Sequence, residues 1–130
     1  MRSTIFFILI LISMWAIGGN MEEAVSVQKL EGQYSVNYFN HKPEALAYFE
    51  RKGLQGGGYT WEALVRAAVS EESPSMLEEI EFDSEGDAFN AYTESENVAN
   101  KIKVIIEKLS SDIAYRKKCI QIAGSEGYLE

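Results

Sequence analysis

From Gln33 onward hydrophobic and polar positions alternate: Tyr34, Val36 and Tyr38 fall on one side, Ser35 and Asn37 on the other, the period of a half-buried strand. The period then lengthens. Asn40, His41, Lys42 and Pro43 read as a helix entrance, since proline tolerates the first turn, and Ala45, Leu46 and Phe49 follow at helical spacing. Gly53, just past Arg51 and Lys52, is placed to stop that helix as a left-handed cap. The run Gln55-Gly56-Gly57-Gly58-Tyr59 predicts a loop, because three successive glycines leave the backbone too free for regular structure. Thr60 is the expected cap of a second helix that carries Trp61, Leu64 or Val65, and Ala68 on one face and ends at Glu71 and Glu72.

Ser73 and Pro74 restart a short helical turn, with Leu77 and Ile80 inward and Glu78, Glu79 and Glu81 outward. Residues 80–83 and 88–93 then read as two strands of a hairpin, joined by the tight turn Ser84-Glu85-Gly86-Asp87. Thr93 and Glu96 fit a capping box, and Val98, Ile102, Ile105 and Leu109 mark a strongly amphipathic helix. A last helix starts at Ser111 or Asp112, puts Tyr115, Cys119 and Ile122 on one face, and ends at Gly124, with residues 125–130 expected to fray. The fold class is therefore α+β: a small antiparallel sheet, an N-terminal strand plus a hairpin, packed against about four helices.

Composition supports a folded chain of one domain, residues 21–130, since 46% hydrophobic and 25% charged residues with two prolines exclude a disordered segment. Residues 1–20 stand apart. Ile5 to Ile17 carry no charge, too short a run for a membrane span of about 20 residues, and Ala16-Ile17-Gly18 offers the small residues of a signal-peptide cleavage site. If those residues are translated, the chain is exported or membrane-associated through them. If the true start is Met21, it is cytoplasmic. No cysteine lies near the run, which excludes a lipoprotein anchor.

The net charge of −8 becomes −9 without residues 1–20, because only Arg2 is lost and 20 acidic side chains face 11 basic ones. Nucleic acid is a poor partner for such a chain, whereas a basic protein surface suits it. Cys119 is the sole cysteine, so there is neither a disulfide framework nor a multi-cysteine metal site, and a buried or half-buried place in a helix is expected for it. The glycine run before Thr60 lacks the Gly-Lys-Ser/Thr ending of a phosphate loop, and Glu62 would repel the anion. Asp83, Glu85, Asp87 and Glu94 imitate a calcium loop, but Ala88 stands where that loop needs glycine. His41 is the lone histidine, with no Gly-x-Ser-x-Gly elbow to serve. No catalytic residue, metal or cofactor is therefore assigned.

Three stretches resemble the immunity protein 51 family of bacterial polymorphic-toxin systems. They are residues 48–53 (Tyr-Phe-Glu-Arg-Lys-Gly), residues 57–62 (Gly-Gly-Tyr-Thr-Trp-Glu), and residues 82–89 (Phe-Asp-Ser-Glu-Gly-Asp-Ala-Phe) with Ala91-Tyr92. The similarity spans roughly residues 30–122. It implies a small α+β protein that binds and blocks a cognate toxin without catalysis, and it carries over no catalytic residue. Members of the family are mostly cytoplasmic, so the apolar N-terminus departs from the pattern, and export would imply a toxin that acts in or through the envelope.

The expected toxin-binding residues are Asp83, Glu85 and Asp87, facing basic groups, with Tyr59 and Tyr92 as aromatic contacts and Trp61, Phe82 and Gly58 as structural support. A small envelope-associated structural or scaffold domain is the competing reading. An enzyme built on clustered carboxylates has no base, metal site or nucleophile to support it.

Overall fold

The computed structural model describes residues 25–39 and 43–129, so the apolar N-terminal segment, Met21 and the His41 helix entrance lie outside the described residues. The chain runs β1 (Ser26–Leu30), β2 (Gln33–Phe39), α1 (Pro43–Arg51), α2 (Gly58–Glu72), a 3-10 helix (Pro74–Glu79), β3 (Glu81–Phe82), β4 (Ala88–Thr93), α3 (Glu96–Ser111) and α4 (Ile113–Glu126). The strands form one antiparallel sheet in the order β1-β2-β4-β3. This is the expected α+β arrangement with one strand more. β1 carries no clear alternation because it is an edge strand, mostly exposed, that only Val27 ties to the core. It turns into β2 through Gly32, whose φ of +73° suits glycine.

Register decides which residues meet. Val36 lies opposite Ala91 and Tyr38 opposite Phe89, all buried on the face where α2 and α3 pack. α4 closes the other side of those two helices. At the centre Trp61 of α2 meets the Tyr38 ring edge-on at 4.9 Å and the Phe49 ring of α1 at 5.4 Å. Such aromatic pairs contribute about 0.5–1.5 kcal/mol beyond the burial of their area. α2 is buried nearly all round, from Trp61 through Val69, so its pattern is that of a central helix and not of a one-sided surface helix.

Several boundaries differ from the pattern reading, each for a local reason. α2 begins at Gly58, with Gly57 as its cap, so Gly58 and Tyr59 belong to the helix and not to the loop. Thr60 sits inside the first turn, where its hydroxyl accepts the Gly56 N–H at 3.0 Å. In α1 it is Ala45 and Phe49 that turn inward, and Leu46 stays 41% exposed. Met76 takes the buried place expected of Leu77, which is half-buried. α3 is capped by Ser95, whose hydroxyl accepts the Val98 N–H at 3.2 Å. Thr93 remains the last residue of β4 and accepts the Ser95 N–H. α4 runs past Gly124 to Glu126 and ends at Gly127, φ +78°, after which Tyr128 N–H returns to the Ala123 carbonyl at 2.9 Å. Tyr128 and Leu129 then pack on the core, so residues 125–129 of the expected frayed tail are an ordered helix end and turn, and Glu130 lies outside the described residues.

Arg116 is the charged residue that pattern reading leaves unexplained. It is 5% exposed, yet it holds α3 to α4 by donating from Nε to the Leu109 carbonyl and from Nη2 to the Ser110 carbonyl, each at 2.8 Å. Its guanidinium lies 4.8 Å from the Tyr48 ring, which brings α1 to the same place. A cation at a helix C-terminus is favoured by the dipole there, so this burial is compensated without a carboxylate.

Cys119 is buried, as expected, and burial pushes its thiol up to about 11, with the Glu72 carboxylate adding to the shift. The neighbouring Tyr115 phenol, which donates to Glu72 Oε2 at 2.6 Å, is raised too, first by burial and then by that bond. Both groups are neutral in the folded chain, so their contribution to stability is complete below their ordinary pKa values and is lost as pH rises through the folded ones. The urea midpoint is therefore expected to fall as pH climbs from about 9 toward 11. Cys119→Ala should lessen that fall. A thiol reagent at pH 8 should label Cys119 only when denaturant is added; prompt labelling of the native chain would contradict this burial.

Candidate functional site

The glycine run is built around a close approach of backbones. Gly56, φ +83°, turns the chain, and Gly58 N–H donates to the Gly86 carbonyl at 3.0 Å, docking the first turn of α2 on the β3–β4 turn. A Cβ on Gly57 would collide with the Gly86 oxygen, and one on Gly58 with the carbonyl oxygens of Glu85 and Ala88. Glycine is needed here for closeness, since only Gly56 of the three has positive φ. The docking is reinforced by Glu62, which pairs with Arg66 at 3.3 Å and accepts the Ser84 N–H at 3.4 Å. Arg66 in turn lies 4.2 Å over the Phe82 ring.

The expected residues fall into two groups around this junction. Tyr59 is 50% exposed on the first turn of α2, one residue after Gly58, whose backbone meets the turn that carries the exposed Glu85 and Asp87. It also lines a cleft of about 510 Å³ with Glu62, Arg66, Tyr128 and Leu129. Tyr92 is elsewhere. It lies opposite Ser35 of β2 and Glu81 of β3, on the sheet face turned away from the helices, about 13 Å along β4 from the turn. Asp83 continues the ladder one residue beyond β3, donating its N–H to the Asn90 carbonyl at 2.9 Å, so strand alternation puts its carboxylate on the Tyr92 side. Of the supporting residues, Trp61 and Gly58 are buried and Phe82 is half-buried against Phe89 at 6.3 Å.

That open sheet face contains residues that pattern reading did not single out. Ser35 Oγ donates to Asn37 Oδ1 and Asn37 Nδ2 to Asn90 Oδ1, both at 2.6 Å, so a hydrogen-bonded row crosses from β2 to β4. The outward positions of the paired strands hold no Lys or Arg, because Lys29 falls opposite Tyr34 on the helix side. Residues 67–100, which include the 3-10 helix and the hairpin, hold ten Asp or Glu and no Lys or Arg. Among the described residues no three carboxylate, thiol or imidazole groups are arranged to hold a metal ion.

The family model described as immunity protein 51 matches residues 25–124. No curated protein and no solved structure gives a match. The matched span takes in the whole sheet, the docked glycine loop and every described helix except the last two residues of α4, and the chain belongs to the immunity protein 51 family.

Because the junction admits no Cβ, Gly58→Ala should lower the unfolding free energy by about 2–3 kcal/mol or more, an overpacking penalty read as a shift in urea midpoint. Exposed Asp87→Asn should leave the midpoint within about 0.5 kcal/mol. Equal effects of the two would mean the glycine contact is not what joins the hairpin to α2.

Proposed function

We propose, with that family membership as the premise, that the chain neutralises a cognate bacterial toxin by binding it stoichiometrically, with no catalysis of its own. The observation that carries this reading is the acidic segment 67–100, which exposes its hairpin carboxylates Asp83, Glu85 and Asp87, Asp83 on the sheet face of the half-buried Tyr92 and the other two in the turn that docks on the helix start carrying the exposed Tyr59. Carboxylates at the edge of a contact steer a basic partner and reject an acidic one, and tyrosine anchors supply contact area at low entropic cost. The partner is a toxin with a basic surface. If residues 1–20 direct export, that toxin acts in or through the envelope.

The chain, tagged at its C-terminus and recovered from its own cells, should carry with it a protein at near one-to-one ratio. Expressed alone that protein should arrest growth, and co-expression with the chain should restore it. Recovery of envelope scaffold components alone would favour the structural reading of the N-terminal segment.

Steering by charge has a kinetic signature. The association rate with the toxin should fall about tenfold or more between low and high salt while dissociation changes little. A salt-independent association rate would remove the carboxylates from the encounter.

A further inference from the structure

We infer that the toxin contact is centred on the open face of the sheet, with Tyr92 as its anchor and Glu81 and Asp83 meeting basic groups of the partner, an assignment that rests on the immunity reading above. Among the described residues the helices pack on the opposite face, the side of Val36, Tyr38, Phe89 and Ala91. The open face is mainly polar, with Leu30 and Phe39 exposed at its rims, and its centre is already ordered, Ser35 being buried and Asn37, Asn90 and Tyr92 half-buried. Its hydroxyl and amide row from Ser35 through Asn37 to Asn90 is satisfied internally, and Asn90 Nδ2 and the Tyr92 hydroxyl are left without a protein partner among the described residues.

Size and charge say how far the contact extends. Strands of five, seven, six and two residues, at about 3.3 Å per residue and about 4.8 Å apart, offer roughly 300 Å², less than half of the ~800 Å² that a stable interface takes from each partner. The surface must therefore run over one edge of the sheet. At the β1 edge Lys29, which the register turns to the helix side, and Glu31 of the β1–β2 turn cancel, whereas on the β3 side Glu81 and Asp83 of the open face adjoin Glu85 and Asp87 of the turn that joins β3 to β4. A basic partner is drawn over the β3 edge. The alternative centre, at Tyr59, borders a cleft where the Glu62 carboxylate is already paired with Arg66. A partner's cation entering there would have to displace that pair.

The test uses the full chain and the protein co-purified with it, once that protein has been shown to arrest growth. Hydroxyl-radical footprinting should find Tyr92 oxidised in the free chain and protected in the complex. Tyr92→Ser should weaken binding about 30-fold or more, and the pair Glu81→Gln with Asp83→Asn about tenfold, with thermal unfolding unchanged. Glu107→Gln, on the exposed side of α3, should bind as the parent does. Parent-like binding by the sheet-face variants, with loss on Tyr59→Ser, would move the centre to the cleft and overturn the inference while leaving the immunity reading intact. Protection of Tyr92 in the free chain would also overturn it: protection independent of concentration would assign the face to the chain's own N-terminal residues, and protection that grows with concentration to a second copy. Failure to recover any growth-arresting partner would fell the immunity reading itself, and this inference with it.

Discussion

The docking of the first turn of α2 onto the β3–β4 turn is the contact on which the rest of the structure depends. α2 is the central helix, and its N-terminal amides must find acceptors in a place with little water. The Gly58 N–H finds the Gly86 carbonyl and the Gly56 N–H finds the Thr60 hydroxyl, so the helix start is capped from both directions. Three residues on, Trp61 is delivered between Tyr38 of β2 and Phe49 of α1. A single backbone approach thus sets the spacing of the helix layer over the sheet and the seat of α1. Two of the stretches by which the chain resembles its family, the glycine run and the hairpin, are the two partners in that approach.

The charges are distributed in a way that folding does not require. Arg66 pairs with Glu62 and Lys118 with Glu71, but the hairpin carboxylates make no ion pair among the described residues. Exposed pairs are worth about 0–1 kcal/mol at most, so an acidic segment left unpaired costs the fold little and contributes little to it. Among the described residues the one deeply buried charge, Arg116, is satisfied by helix carbonyls and aromatic faces. Apolar and aromatic groups with Arg116 hold the layers, and under the proposed immunity reading the hairpin carboxylates, which the fold does not use, act on a partner.

Much of this was legible wherever one period persisted. The alternation of β2, the apolar stripe of α3 and the Ser73-Pro74 restart each encode an element locally, and each was found. Helix ends were missed by a few residues because the competing caps lie close together: Ser95 outdoes Thr93 since Thr93 is already held in the β4 ladder, and Gly127 outdoes Gly124 since only Gly127 adopts the left-handed turn. β1 was invisible because edge strands bury too little to leave a pattern. For the candidate site, the exposure of the hairpin carboxylates and the burial of Trp61 could be read from the sequence. The sheet face could not, since Ser35, Asn37, Glu81, Asn90 and Tyr92 are joined only by strand register, a long-range property that periodicity does not carry.

An antiparallel sheet covered on one side usually leaves a solvated polar face, so polarity alone would distinguish nothing here. What differs is how that polarity is disposed. A surface amide whose partner is water must lose it on association, and an imperfect replacement leaves a desolvation penalty of about 1–3 kcal/mol. Ser35 is already buried with its hydroxyl bonded to Asn37, and the half-buried Asn37 amide is bonded to Asn90, so covering the row asks less of a partner. Their positions on paired strands also reduce the side-chain ordering that a contact must impose. Tyr92 stands beside this row with no hydrogen-bond partner for its hydroxyl among the described residues, and on its face β3 and the residue after it present Glu81 and Asp83. A face already ordered at its centre and acidic toward β3 favours fast, specific association with a basic surface, which is the demand that the proposed immunity function would place on it.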